Sequence, residues 1–254
     1  MLRISIVIPV YNEMPTLAAV LRRVMAAALP AGCTREVIVV DDGSTDGTQA
    51  VLDEFRGGVV AYSSAHQGKG VALRIGIARA SGDVILVQDG DLEYDPGDYM
   101  ALLQPIVRGG ADVVYGTRFA HDVSGMRWPN WIANKVLTWT ANALFAARIT
   151  DEATGYKAFR AATLHSLTLT CRRFEFCPEV TAKLRLAGYQ ISEVPISYRP
   201  RSIAQGKKIR CRDGFEALWT LIRLRLVGRH AAAARTPASP FRLPSALSTS
   251  LDRR

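Results

Sequence analysis

Cysteine and histidine are too few and too scattered in this sequence to predict a zinc site or a disulfide framework. The 254 residues include four histidines and four cysteines, and no two cysteines have C-x-x-C spacing. Dispersed single cysteines are typical of reduced thiols in a cytoplasmic protein. The sequence therefore favours neither a zinc-binding protein nor a small secreted domain held together by disulfides.

Long hydrophobic runs are also absent. A transmembrane helix needs roughly 18–20 uninterrupted apolar residues, and no segment of the chain reaches that length. The N-terminal apolar run Ile4–Val10 is shorter than the apolar part of a signal peptide and leads directly into Tyr11–Glu13. We therefore expect a cytoplasmic protein that neither is secreted nor spans a membrane.

The fingerprints of three common enzyme classes are missing. The chain has no G-x-x-x-x-G-K-[ST] motif of P-loop NTPases, no G-x-G-x-x-G after a strand and no G-x-S-x-G. Gly68–Gly70 resembles a phosphate loop only loosely. These absences weigh against an NTPase, a dinucleotide oxidoreductase and an α/β-hydrolase.

Positive charge is concentrated at the C-terminus. Residues 1–200 carry 20 basic and 20 acidic side chains, whereas residues 201–254 carry 12 basic and three acidic ones. The whole net charge of +9 therefore lies in the last segment, which would attract anionic lipid, nucleic acid or phosphorylated substrates, or be a solvated tail. No aromatic residues are interleaved as base-stacking platforms, so we expect no nucleic acid partner.

The first 120 residues predict an α/β fold. Apolar, β-branched runs alternate with helical patterns, which is typical of a mostly parallel sheet with helices on both faces. The predicted strands are Ile4–Val10, Glu36–Val40, Val59–Tyr62, Asp83–Val87 and Asp112–Gly116. The predicted helices are 15–28, Thr45–Phe55 with Ser44 or Thr45 as its cap, Gly70–Ala80 and Tyr99–Arg108.

The second half predicts amphipathic helices followed by a disordered basic tail. Residues 126–147 mix tryptophans with basic residues, which suits either a membrane interface or a buried helix pair. Residues 213–227 repeat the amphipathic pattern, and residues 229–254 are rich in Ala, Pro and Ser. We predict one domain over 1–228, with a nucleotide-binding half (1–120), an acceptor half (121–228) and the tail.

Acidic residues follow the predicted fourth strand at alternate positions. In extended backbone Asp89, Asp91 and Glu93 lie on one side and can converge on one Mg²⁺ or Mn²⁺, because these ions prefer oxygen ligands. A solvated acidic turn is the alternative. The pair Asp41 and Asp42 follows the second strand, where it could bind a base or ribose, cap the next helix, or do both.

These motifs together resemble family 2 glycosyltransferases, which have the Rossmann-like GT-A fold. The matching segments, in order, are Ile8–Glu13 (I-P-V-Y-N-E), Val39–Thr48 (V-V-D-D-G-S-T-D-G-T), Gly68–Gly70, Ser81–Asp83 and Asp89–Asp91. The later segments resemble the branch of dolichyl-phosphate mannose synthase and other polyprenyl-phosphate glycosyltransferases: Tyr115–Phe119, Asp151–Arg160, Glu193–Tyr198 and Gly206–Ile209. The family's usual Asn before Gly-Lys-Gly is replaced by His66 and Gln67.

The resemblance implies a role for each matching residue. Pro9, Tyr11 and Glu13 would hold the nucleoside, and Asp41 and Asp42 would contact base or ribose. On the donor side, Asp89 and Gly90 would contact the nucleotide-sugar, and Asp91 and Glu93, with Asp89, would hold the metal. The catalytic residues would be Asp91, Arg118 and Arg201. Lys207 or Lys208 would bind the diphosphate, and Arg118 and Arg127 would bind the acceptor.

The implied reaction is transfer of a hexose with inversion from a GDP- or UDP-sugar to a polyprenyl phosphate at the cytoplasmic membrane face, by a peripherally bound enzyme. A phosphate acceptor is already an oxyanion and needs no general base. The alternative is a hydroxyl acceptor on a saccharide or glycolipid, for which Glu175 or Glu179 would be the base. The third hypothesis is a non-enzymatic protein that binds nucleotides or nucleic acid through its basic C-terminus.

Overall fold

The computed structural model of the chain describes residues 1–120, 128–201, 208 and 211–231. Seven strands form one sheet in the order β3-β2-β1-β4-β6-β5-β7. The strands are β1 (Leu2–Val10), β2 (Cys33–Asp41), β3 (Val60–Ser63), β4 (Val84–Val87), β5 (Val113–Thr117), β6 (Lys157–Arg160) and β7 (Ser192–Pro195). The five predicted strands are confirmed, whereas β6 and β7 have no counterpart in the strand pattern.

The sheet is mostly parallel, as predicted. Strand β1 runs parallel to β2 and β4, β2 parallel to β3, and β5 parallel to β7. Only β6 runs the other way, between β4 and β5. Six strands therefore end at the same edge, and β6 begins there, so the loops at this edge are neighbours in space.

Eight α-helices lie among the described residues. They are α1 (Met14–Ala26), α2 (Thr48–Glu54), α3 (Lys69–Arg79), α4 (Tyr99–Val107), α5 (Trp128–Phe145), α6 (Ala161–His165), α7 (Phe176–Leu186) and α8 (Cys211–Ala231). Helix α1 buries Leu17, Val20, Leu21 and Val24, whose spacing places them on one face.

The hydrophobic core lies on both faces of the sheet. Along β1, Ile4, Ile6 and Ile8 pack on the side of α1 and α4, while Val7 packs against α3 on the other side. Alternate residues of a strand point to opposite faces, so a strand buried on both faces is apolar throughout. Each such side chain contributes about 1.5–3 kcal/mol to stability through burial. The packed strands therefore hold the first residues of the loops at the candidate site in place.

Helix α2 begins later than predicted, at Thr48, and neither Ser44 nor Thr45 caps it. Gly47 precedes the helix with φ +96°, and Asp46 Oδ1 accepts hydrogen bonds from the Thr48 backbone and hydroxyl. Ser44 instead donates to Asp41 Oδ1, through both its backbone N–H and its hydroxyl. The prediction of the cap was wrong because that bond holds Ser44 in the turn after β2.

Helices α5, α7 and α8 form a third apolar cluster. Its buried members are Leu137, Ala141, Phe145, Ala182, Ala217 and Leu221. One face of the predicted 126–147 helix is thus a buried helix contact, while Trp128 and Trp139 on its other side are 72% and 71% exposed. Helix α8 runs to Ala231, past the predicted start of the tail, and residues 232–254 lie outside the described residues.

No helix in the described part of the chain is both long enough and apolar enough to cross a membrane.

Candidate active site

The predicted site residues lie together where the strands end. Tyr11 and Glu13 follow β1, Asp41 and Asp42 lie at and after the end of β2, Asp89–Glu93 follow β4, and Arg118 follows β5. Arg201 follows β7 and contacts the β4 loop. Arg127 and Lys207, predicted for the acceptor and the diphosphate, lie outside the described residues.

Arg201 joins three carboxylates that come from two different loops. Its Nη2 lies 2.5 Å from Asp91 Oδ2, its Nη1 3.1 Å from Glu13 Oε2 and its Nε 3.8 Å from Glu93 Oε1. The backbone N–H of Arg201 also donates to Glu93 Oε1, at 2.8 Å. A guanidinium thus lies among the carboxylates that were predicted to hold a cation.

Lys208 makes a second cationic contact with the same cluster. Its Nζ lies 2.6 Å from Glu13 Oε1 and also donates to the backbone carbonyls of Tyr11 and Asn12. Two cations assigned to the diphosphate are therefore held by the carboxylates of the donor side. A bound diphosphate and metal ion would compete for both sets of charges.

The electrostatics of the cluster centre on Asp91. Burial, and then repulsion from Asp89, raise the pKa of Asp91 to about 7, although Arg201 acts in the opposite direction. Burial would lower the pKa of Arg201, but Asp91 and Glu13 raise it above its ordinary value. Negative charge is thus crowded here, and a further cation would favour the ionised form of Asp91.

Asp89 has a different partner from its two acidic neighbours. Its Oδ1 lies 2.6 Å from Lys69 Nζ, at the first residue of α3. A Cβ on Gly155 would come within 2.6 Å of Asp89 Oδ2, so only a glycine fits there without displacing the carboxylate. Burial would lower the pKa of Lys69, but Asp89 raises it, which keeps this lysine charged beside the site.

The metal-ligand set remains a prediction. No three His, Cys, Asp or Glu side chains within the described ranges are grouped so as to hold a metal ion. Asp91 and Glu93 stay together at Arg201, whereas Asp89 pairs with Lys69. The donor set still fits a hard cation, because all three side chains are carboxylates and each already contacts a positive group.

The base of the loop after β4 is held by a buried tyrosine network. Gln88 Oε1 accepts hydrogen bonds from Tyr99 at 2.8 Å and Tyr156 at 2.6 Å, and Gln88 Nε2 donates to the Asp89 carbonyl. Gly90 is also fixed by packing, since a Cβ on it would lie 2.7 Å from Val10. The acidic loop is therefore preorganised.

At the end of the site that was predicted to hold the nucleoside, two carboxylates are buried and the His66 ring is exposed. Asp41 and Asp42 are each only 2% exposed. The Tyr11 ring stacks on His66 with 4.1 Å between ring centroids and 23° between the planes. Pro9 is buried in the last part of β1 and positions Tyr11 at the strand end.

Arg118 is buried against Asp151. Its Nε and Nη2 each donate to a different oxygen of Asp151, at 2.7 Å, and its backbone N–H donates to the same carboxylate. Asp151 is fully buried, and Arg118 is 7% exposed. A bidentate pair of this kind fixes the plane of the guanidinium, so Arg118 is a rigidly placed positive charge.

The Tyr198 ring connects Arg118 to the donor cluster. Arg118 Cζ lies 4.9 Å from the centroid of the Tyr198 ring, and the Tyr198 hydroxyl donates to Glu93 Oε2 at 2.9 Å. The predicted acceptor residue and a predicted metal ligand are thus one side chain apart.

Comparison with known proteins decides the family. The family model described as "Glycosyl transferase family 2" matches residues 5–167. An uncharacterized glycosyltransferase of Mycobacterium tuberculosis (strain ATCC 25618 / H37Rv) is 32% identical over 207 residues, which cover 80% of this chain and 88% of the relative. This chain belongs to glycosyl transferase family 2. The resemblance drawn from the motifs is confirmed at that level.

This glycosyltransferase is also similar to a second relative and to a solved structure. The undecaprenyl-phosphate mannosyltransferase of Micrococcus luteus is 29% identical over 221 residues, covering 81% of this chain and 87% of the relative. The crystal structure of glucosyl-3-phosphoglycerate synthase from Mycobacterium tuberculosis in complex with UDP aligns with a TM-score of 0.68 at 23% identity, covering 89% of this chain and 80% of that one. The GT-A fold is therefore confirmed.

Both candidate general bases of the glycosyltransferase are engaged in local structure. Glu179 is 1% exposed and accepts hydrogen bonds from Thr170, Cys171 and Lys183. Burial would raise the pKa of Glu179, but the bonds from Lys183 and Thr170 lower it below its ordinary value. Glu175 accepts from the backbone N–H groups of Arg172 and Arg173. Both carboxylates therefore already accept hydrogen bonds from neighbouring groups.

Reasoning from the sequence assigned no role to several side chains that build the site. These are Lys69, His66, Asp151, Gly155 and Tyr198. Each lies in a segment that carried the family resemblance or next to one. The resemblance therefore covered the position of each residue but did not predict its contacts. The contacts depend on strands that are distant in sequence, and no periodicity reveals them.

Proposed function

We propose that this glycosyltransferase moves a hexose, with inversion, from a GDP- or UDP-hexose to a polyprenyl phosphate at the cytoplasmic face of a membrane. The observation that carries the proposal is a continuous series of contacts between the donor carboxylates and an exposed apolar helix. It begins at Glu93, passes through Tyr198 and Arg118, and continues to helix α5.

The second part of that series links Arg118 to α5. Arg118 Cζ lies 5.8 Å from the centroid of the adjacent Phe119 ring, and Lys135 Nζ lies 3.7 Å from the same ring. Lys135 is on α5, with its Nζ 5.8 Å from the Trp131 ring. Two positive groups next to an aromatic helix suit an acceptor with a phosphate head and an apolar chain.

The donor side suits a nucleotide-sugar with a divalent cation. Asp91 and Glu93, with Asp89 nearby, would hold Mg²⁺ or Mn²⁺, which when bound would neutralise charge on the leaving diphosphate. Arg201 and Lys208 would leave the carboxylates and donate to the diphosphate, since charge-assisted bonds to phosphate are among the strongest available. Arg201 Nε is buried and has no hydrogen-bond partner among the described residues, so it has a donor to offer.

The acceptor chemistry follows from the absence of a free base among the candidates. Glu175 and Glu179 are both bound to local N–H groups, so a hydroxyl acceptor would lack the base assigned to it. A phosphate monoester is anionic near neutral pH and needs only to be held in line with the anomeric carbon. Arg118, fixed by Asp151, would hold it there.

The membrane surface would be formed by the outer sides of α5 and α8. Helix α8 exposes a stripe at helical spacing, consisting of Phe215, Trp219, Ile222 and Leu226. Trp128 and Trp139 add exposed aromatic area on α5. Exposed aromatics flanked by basic residues such as Arg223 are typical of helices lying in the lipid headgroup region.

One relative supports the proposed acceptor, and the similar structures support a nucleotide-sugar donor with a divalent cation. One similar protein is named an undecaprenyl-phosphate mannosyltransferase. Structures of glucosyl-3-phosphoglycerate synthase, similar in fold, contain Mn²⁺, UDP and phosphoglyceric acid. The following experiment separates the proposed acceptor from the runner-up, which is a hydroxyl of a saccharide or glycolipid.

The test is incubation of the purified protein with a panel of GDP- and UDP-hexoses, Mn²⁺ or Mg²⁺, and either a short polyprenyl phosphate or the matching polyprenol. We expect a glycosylated product, detected by mass, only with the phosphate and only when the metal is present. Transfer to polyprenol or to saccharides in preference to the phosphate would replace the proposed acceptor by a hydroxyl. Full activity in excess chelator would show that the reaction does not require the metal ion.

A further inference from the structure

The carboxylates assigned to the nucleoside are already used inside the protein. Asp41 Oδ1 accepts from the backbone and hydroxyl of Ser44, at 3.0 and 2.5 Å. Asp42 accepts from the backbone N–H groups of Gln67 and Gly68, both at 2.8 Å. With 2% exposure each, these two residues shape the loops around the site and have little capacity left for a base.

Asp42 also orients the one exposed ring next to it. His66 Nδ1 lies 2.9 Å from Asp42 Oδ2 and 3.1 Å from the Asp42 carbonyl oxygen. Both partners are acceptors, so Nδ1 carries a proton, and Nε2 is the ring nitrogen left for a ligand. The His66 side chain remains 56% exposed, so a ligand can reach it.

The position of His66 is fixed by two further constraints. Its ring stacks on Tyr11, as described above. A Cβ on Gly43 would lie 3.0 Å from the His66 backbone nitrogen, so this turn passes directly against the His66 backbone. Lys208 Nζ lies 5.7 Å from the centroid of the Tyr11 ring, which places the diphosphate-binding cation beside the same aromatic pair.

We propose that His66 is the residue that contacts the nucleobase of the donor, with its exposed ring as a stacking surface and its Nε2 as the atom that hydrogen-bonds to the base. Tyr11 supports the ring from behind, and Asp42 fixes its plane. This assignment deepens the proposed function, because it presumes that a nucleoside diphosphate binds at the edge formed by β1 and β2.

The test is calorimetric titration of the full chain with UDP and GDP in the presence of Mn²⁺, for wild type, His66→Ala and His66→Phe. Stacking of a base on a side chain is worth about 1–3 kcal/mol, so His66→Ala should weaken binding at least about fivefold. His66→Phe should bind more tightly than His66→Ala, because it restores a stacking ring but not the ring nitrogens.

Three controls make the outcome specific. His165→Ala changes an exposed histidine on α6 and should bind as wild type does. Inorganic pyrophosphate with Mn²⁺ should bind wild type and His66→Ala equally, because it has no base. Melting temperatures of all variants show whether the fold is retained.

Unchanged or tighter nucleotide binding by a folded His66→Ala variant would overturn the assignment, as would an equal loss of pyrophosphate binding. Tighter binding would mean that the His66 ring occupies the place of the base and must be displaced. If wild type itself binds no nucleoside diphosphate and transfers no sugar, the proposed function fails instead, which is a different result.

Discussion

Arg201 lies across Asp91, with 2.5 Å between the guanidinium Nη2 and the carboxylate Oδ2. The two residues are 110 positions apart in the chain and come from the loops after β7 and β4. Both are assigned to the donor, one to its diphosphate and the other to its metal. Their contact means that, without donor, each satisfies the charge of the other.

The first prediction concerns this pair. Arg201→Ala should raise the KM for the nucleotide-sugar and lower kcat, because the diphosphate loses a charge-assisted donor and Asp91 loses its counter-ion. Removing one such donor typically costs about 10²–10³ in kcat. Initial rates at varied donor concentration measure both constants.

Arg56→Ala is the control for Arg201→Ala. Arg56 forms an exposed ion pair with Asp53, at 2.8 Å on the surface, and its loss should leave both constants unchanged. If a folded Arg201→Ala variant has the same KM for the donor and the same kcat as wild type, Arg201 does not bind the donor.

The second prediction concerns Arg118 and its buried partner. Arg118→Ala should damage use of the acceptor more than binding of the nucleotide-sugar, and Asp151→Asn should have a weaker effect of the same kind, because it frees the guanidinium without removing it. Steady-state kinetics give KM for the acceptor, and calorimetry with the nucleoside diphosphate gives donor binding. Equal loss of both would place Arg118 at the donor instead.

The third prediction concerns Glu179. Its lowered folded-state pKa means that it stabilises the fold above its unfolded-state pKa of about 4.3 and that this contribution disappears as pH falls through the lower folded-state value. Glu179→Gln should therefore lower the free energy of unfolding by about 1.5–3 kcal/mol at pH 7. The difference from wild type should shrink in acid below pH about 4.

Urea unfolding at several pH values measures that difference. Glycosyl transfer by Glu179→Gln, assayed below its melting temperature, should remain substantial, because no base is needed for a phosphate acceptor. Glu175→Gln should also retain activity. Abolished turnover in a folded Glu variant, together with tolerance of Arg118→Ala, would favour a hydroxyl acceptor with general-base catalysis.

The fourth prediction concerns the exposed stripe on α8. Trp219→Glu should reduce pelleting with anionic liposomes, because it places a negative charge in the apolar surface and loses aromatic contact with the headgroup region. Val60→Glu is the matched control, since Val60 is 48% exposed on the edge strand β3. High salt should also weaken pelleting, because part of the attraction is electrostatic.

A Trp219→Glu variant that pellets as well as wild type would remove α8 from the membrane surface. Pelleting that is equally reduced by Val60→Glu would indicate a general effect of charge. Transfer to a water-soluble short-chain acceptor should be unaffected by Trp219→Glu, which separates membrane docking from chemistry.

The sequence alone predicted the first five strands of the sheet and the edge at which the candidate site lies. Local patterns predict β1, β2 and β4, because a strand buried on both faces needs an unbroken apolar run. Polar clusters at the ends of those runs had to meet at one edge, because parallel strands end together. The order of the motifs along the chain was not needed for that step, and the family resemblance came from the same residues.

The tertiary structure alone decided the partners of the charged side chains. Strand β6 enters the sheet antiparallel, between β4 and β5, and so places Asp151 beside Arg118 although 33 residues separate them. The loop after β7 brings Arg201 to Asp91, and the loop after β3 brings His66 onto Tyr11. Such pairings depend on which strands become neighbours, and that choice is made by packing of the whole core rather than by any local pattern.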